Sequence, residues 1–161
     1  MSKLEIKIQD ELTKNGINFE TQKPVPIEIY PWQTTRSKTS PKCDIYLTDF
    51  DLYIEVKGFM TFRAVSSLSH LSRQNFKYYI FQGTEPQWNP TIGTFLKNSD
   101  LSEGKGKKLL YSVINHQIQE LINLKTNPDF LKNASQISLA RLRNYIETKI
   151  DEYKEWNGEW F

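Results

Sequence analysis

Cysteine and histidine are nearly missing from this chain: among its 161 residues there is one cysteine, Cys43, and there are two histidines, His70 and His116. A lone thiol excludes an internal disulfide, and no Cys/His set has the spacing of a zinc site. The expected setting is reducing and cytoplasmic. No run approaches the roughly 20 apolar residues that a membrane-crossing helix needs, and the polar start from Ser2 holds no apolar signal core. A soluble protein without membrane contact is therefore expected. Strong charge of either sign is also lacking: 21 Lys and Arg stand against 19 Asp and Glu. Such a sum neither requires nor excludes a polyanionic partner. What is present is apolar material, 38% of residues with 13% aromatic, enough for a real core. One domain over 1–161 is expected.

Leu4, Ile8 and Leu12 recur at helical spacing, with Ser2 placed to cap and Gly16 to stop a first helix. Ile17 to Val25 reads as an extended segment whose Pro24 and Pro26 suit an edge or a strand end. The stretch from Pro31 to Pro41 reads as a loop with two cations, Arg36 and Lys38, and no acid. Phe62, Val65, Leu68 and Leu71 mark a helix with Arg63 and Arg73 at its ends, and a strand is expected at Lys77 to Gln82. The order is αβββαβ. Thr84 to Asn98 is rich in turn residues and has no clear period. Two further apolar stripes follow, Leu109, Leu110, Val113, Ile114, Ile118, Leu121 and Ile122, then Leu139, Leu142, Ile146, Ile150 and Tyr153, separated at Asn127-Pro128. They predict helices added to a core of about 1–83, packed on the sheet or on a second subunit.

Between Cys43–Leu47 and Leu52–Lys57 lies the polar stretch Thr48-Asp49-Phe50-Asp51, which predicts a hairpin. A symmetric loop pairs Leu47 with Leu52, Ile45 with Ile54 and Asp44 with Glu55. Alternation then turns Leu52, Ile54 and Val56 to the core, and puts Tyr53, Glu55 and Lys57 on the opposite face with Asp44 and Tyr46. Opposed carboxylates repel, and a bound cation removes that cost. Carboxylate oxygens suit a hard divalent ion, which polarises a phosphate and lowers the pKa of an attacking water. Lys57 is placed to orient or deprotonate the nucleophile, or to stabilise developing charge. A third carboxylate is to be sought among Glu5, Asp10 and Glu11 of the first helix. Glu5, next to Leu4 of the stripe, can lie at the core boundary.

Ser2-Lys3-Leu4-Glu5, Lys14-Asn15-Gly16-Ile17-Asn18-Phe19-Glu20, Pro41 with Asp44, and Glu55-Val56-Lys57-Gly58 together resemble the PD-(D/E)xK nuclease superfamily. The likeness covers roughly the first half of the chain and is closest to phage Holliday-junction-resolving endonucleases. It departs at Pro41-Lys42-Cys43-Asp44, where the family usually has Pro next to Asp. The resemblance implies an α/β restriction-endonuclease-like core with a mixed central sheet, and frequent dimers. It further implies Glu5, Asp44 and Glu55 as metal ligands joined by the Val56 carbonyl, a catalytic Lys57, and Mg²⁺ as cofactor with Mn²⁺ able to substitute. The expected activity is metal-dependent DNA hydrolysis by a metal-activated water, on branched DNA such as a Holliday junction. Two alternatives stand beside it: a site-specific homing or restriction endonuclease on linear duplex DNA, and a non-catalytic DNA-binding protein with a nuclease-like fold.

Arg36, Lys38 and Lys42 precede the hairpin and suit phosphate contacts, which position DNA without specifying its sequence, although solvated loop charges would read the same. Lys105, Lys107 and Lys108 can clamp a DNA backbone. Trp32 and Trp88 can stack on bases or fill a core, and the histidines read as surface or packing residues. An acid at Glu5 also suits the helix dipole, independently of any metal.

Overall fold

The computed structural model describes residues 2–26, 42–57, 76–83, 88–89, 94–95 and 111–150. The expected helix from Phe62 to Leu71 lies outside them. So do Trp32, Arg36, Lys38, Arg63, His70, Arg73, Lys105, Lys107 and Lys108.

Helix α1 spans Lys3–Lys14. Its start is capped by Ser2, whose hydroxyl accepts from the Glu5 N–H at 3.2 Å and donates to Glu5 Oε1 at the same distance. It stops in a Schellman motif, with Ile17 N donating to Leu12 O at 2.9 Å and Gly16 N to Thr13 O at 3.1 Å. That turn needs the left-handed φ of +70° found at Gly16. Leu4, Ile8 and Leu12 are the buried face.

Strands β1 (Phe19–Pro24), β2 (Lys42–Leu47), β3 (Leu52–Lys57) and β4 (Tyr78–Gln82) form one sheet in that order. The first three are antiparallel and β4 runs parallel to β3. The sheet is therefore mixed. A parallel neighbour demands a crossover connection rather than a tight hairpin. The two-residue strands β5 (Trp88–Asn89) and β6 (Thr94–Phe95) pair separately. Helices α2 (Tyr111–Ile122), α3 (Pro128–Lys132) and α4 (Ala134–Ile150) follow, with a 3-10 turn at Leu124–Thr126 between the first two.

The hairpin register matches the expected one at Ile45 with Ile54 and Leu47 with Leu52, but the ladder ends there. Asp44 and Glu55 share a face one step beyond the last ladder pair, where the same register sets them opposite each other without ladder bonds. The physical reason is local: the Val56 N–H, which would serve the ladder, donates to the Asp44 carboxylate at 2.7 Å instead. The other face of the hairpin carries the core. Cys43, Ile45, Leu47, Leu52, Ile54 and Val56 are buried there with Tyr79 and Phe81, under α1 and under Ile114, Ile118 and Leu121 of α2.

The outer side of β4 is met by side chains. Tyr78 N donates to Ser135 Oγ at 2.9 Å, Ile80 N to Ser138 Oγ at 3.1 Å, and Gln82 N to Gln117 Oε1 at 3.0 Å. Gln117 Nε2 returns a bond to Gln82 O at 2.7 Å. This also corrects the expected face of α4. Ser138 and Leu142 are buried while Leu139 is only half-buried, because a helix beside a strand end needs hydroxyls where the strand offers N–H groups.

Candidate active site

Three elements bring the acidic residues together. Strand alternation puts Asp44 of β2 and Glu55 and Lys57 of β3 on one half-buried face. The first turn of α1 adds Glu5, whose charge acts on both Asp44 and Glu55. Of the acids of α1 it is Glu5, rather than Asp10 or Glu11, that stands among the charges acting on this pair. Lys57 Nζ lies 3.4 Å from Glu55 Oε2. Lys42 is exposed at the start of β2, two residues before Asp44 and therefore on the same side of the strand. Since β2 starts at Lys42, the residues separating Pro41 from Asp44 belong to the strand and leave the carboxylate on the site face.

Hydrogen bonding places the Val56 backbone as well. Tyr53 N donates to Lys77 O at 3.2 Å and Gly83 N to Lys57 O at 2.8 Å. In a parallel ladder this parity commits Tyr53, Glu55 and Lys57 to β4, so the amide and carbonyl of Val56 face β2. The amide is taken by Asp44. The carbonyl faces the β2 side of β3.

Burial raises the Asp44 pKa, the Val56 N–H opposes that rise, and the Glu5 charge adds to it. At Glu55 burial pushes the carboxyl up to about 7; Lys57 pulls it down, while Asp44 and Glu5 push it up. At both groups burial leads the rise, and the Lys57 charge opposes it. Gln22 acts on Asp44 in the lowering direction.

No protein-family model, curated protein or solved structure matches this chain. The chemistry of the site therefore rests on its own geometry. The donors fit a hard divalent cation in kind: carboxylates, a backbone carbonyl and a site with excess negative charge. In position they are less tight, since no group of three or more His, Cys, Asp or Glu closes on one point among the described residues. Glu5 is bonded to the Ser2 hydroxyl and Glu55 lies 3.4 Å from Lys57.

Gln22 carries no sequence signal of its own. It sits inside β1 with φ +53°, a left-handed value that costs a non-glycine residue about 1–3 kcal/mol. A second unanticipated group lies across the core. Glu120 of α2 accepts from Tyr79 Oη at 2.9 Å and holds Arg141 of α4 through two bonds of 2.6 Å. Sequence spacing gives no hint that these three meet. His116 is exposed and lies 3.8 Å from Glu120, a surface position as expected. A cavity of about 350 Å³ opens beside it, lined by Gln82, Val113, Gln117 and Arg141 among others, and the acidic cluster is not part of its wall.

Proposed function

We propose that this protein is a metal-dependent DNA endonuclease with a restriction-endonuclease-like core, and that Glu5, Asp44, Glu55 and Lys57 form its active site. The observation that supports the reading is Asp44 of β2 and Glu55 of β3 on one half-buried face, with Lys57 3.4 Å from Glu55 and the charge of Glu5 acting on both. Exposed ion pairs contribute only about 0–1 kcal/mol, whereas burying mutually repelling carboxylates opposes folding, so stability alone does not account for the group.

Glu5, Asp44 and Glu55 with the Val56 carbonyl would hold Mg²⁺ or Mn²⁺. When bound, such an ion supplies Lewis-acid polarisation of the phosphate and acidifies the attacking water. Asp44 is oriented by the Val56 N–H. Glu55 keeps Lys57 at the site face, where its ammonium can orient the nucleophile and counter charge on the scissile phosphate. Lys42 on the same side suits a phosphate contact.

A branched substrate is the form of the proposal that the amino-terminal motifs favour. The test is single-turnover cleavage of a four-way junction and of randomised linear duplexes, with Mg²⁺ or Mn²⁺. We expect junction cleavage, and a loss of about 10²-fold or more for Lys57→Ala. Cutting of one linear sequence alone would move the assignment to a homing or restriction enzyme. DNA binding with no cleavage of any substrate, unchanged by Lys57→Ala, would leave a non-catalytic binding protein.

A further inference from the structure

Gln82 ends β4 with an unmet demand. Only 3% of the residue is exposed, and among the described residues no donor reaches its Oε1. Buried side-chain amides are as a rule hydrogen-bonded, and an acceptor left without a donor opposes folding. The backbone of the same residue is fully engaged, since its N–H and C=O both bond the Gln117 side chain at the edge of the sheet. The deficit is confined to the side chain.

The parallel register fixes where that side chain stands. It pairs Tyr53 with Tyr78, Glu55 with Ile80 and Lys57 with Gln82. Ring contacts agree with a shared face: Tyr53 lies 5.3 Å from Phe76, and Phe76 lies 5.6 Å from Tyr78. Tyr79 and Phe81, on the alternate positions, belong to the core cluster. Gln82 is therefore on the face of Asp44, Glu55 and Lys57, one strand spacing of about 5 Å from Lys57. Lys57 carries three N–H donors, and Glu55 takes one of them at 3.4 Å. An ammonium held by one acceptor can swing about that contact, whereas two acceptors aim its third N–H.

We propose that Gln82 is a positioning residue for Lys57: its amide oxygen is the second acceptor, taken up by the ammonium when a phosphate enters the site. Glu55 and Gln82 then aim the remaining N–H at that phosphate. This rests on the nuclease reading and deepens it, by assigning a residue that acts on the lysine rather than on the carboxylates or a cation. The free protein holds the ammonium on Glu55 and leaves the amide oxygen unpaired. A destabilising group kept at a site face is the pattern of a residue retained for function.

The experiment is single-turnover cleavage of a four-way junction, with melting curves alongside. It compares wild type, Gln82→Met, Gln82→Leu, Lys57→Ala and the double variant Gln82→Met/Lys57→Ala. Methionine and leucine remove the unpaired acceptor, so these variants should melt no lower than wild type. The cleavage rate of Gln82→Met at saturating protein should fall about tenfold, the scale of a misaimed catalytic group, with DNA affinity unchanged. On the Lys57→Ala background the same substitution should change nothing further, because residues that act through one another are not additive. A wild-type rate in Gln82→Met, or an equal loss on both backgrounds, would overturn the positioning role. So would melting points well below wild type for both Gln82→Met and Gln82→Leu, which would mark the amide as a structural contact. If Lys57→Ala loses cleavage while Gln82→Met keeps it, the nuclease reading stands and only this inference falls. If wild type cleaves no DNA, the nuclease reading fails and this inference falls with it.

Discussion

Glu55 holds the charge most sensitive to solution conditions. Its carboxyl titrates near 4.5 when free and at about 7 in the folded protein, with burial as the main cause. The folded state thus binds this proton more tightly than the unfolded chain. The contribution to stability is full below pH 4.5 and is lost as pH rises to about 7, amounting to about 3 kcal/mol. Asp44, raised in the same direction, adds to the trend. Chelator-treated protein should therefore melt progressively lower across that window, and Glu55→Gln should flatten the slope and melt higher than wild type at pH 8. A wild-type melting point that climbs from pH 5 to 8 would contradict the burial of this carboxylate. At this scale Asp44, Glu55 and Lys57 were legible because alternation in two short strands decides which side chains share a face. Gln22 was not, since an extended run without glycine gives no warning of a left-handed residue.

At the scale of elements, the apolar periods located α1, the hairpin, β4 and the two long carboxy-terminal helices. They failed where a polar side chain does the work of a strand. Ser138 and Gln117 stand outside those apolar periods, yet both are buried against β4. Gln117→Leu removes the partners of Gln82 N–H and C=O together, and an unsatisfied buried group costs about 1–3 kcal/mol. We expect a loss of about 2–4 kcal/mol in urea unfolding for that variant. Ser138→Ala strands one N–H and should cost about 1–3 kcal/mol. Ser135→Ala should cost less, because water can reach the half-buried Ser135. Equal stability of Gln117→Leu and wild type would show that water or the neighbouring cavity replaces the lost amide.

For the molecule as a whole, a cation that binds only the folded state stabilises it by mass action, about 2.7 kcal/mol at a hundred times its dissociation constant. Mg²⁺ or Mn²⁺ should raise the melting temperature, and more so above pH 7 than at pH 5, where Glu55 keeps its proton and cannot donate to a metal. Asp44→Asn should shrink the shift. A shift independent of pH would place the ion elsewhere. Net charge and composition are silent on this, because the proposed response would depend on where individual carboxylates sit in the fold.

Sheets offer neighbours their unpaired edges, and here neither edge is open to continuation. On one side the amide hydrogens of Tyr78, Ile80 and Gln82 are already engaged by Ser135, Ser138 and Gln117. On the other, β1 is bent at Gln22 and ends in Pro24, which has no N–H to offer. Strand-to-strand joining of two copies is thereby disfavoured at β4, the edge whose amide hydrogens are already engaged.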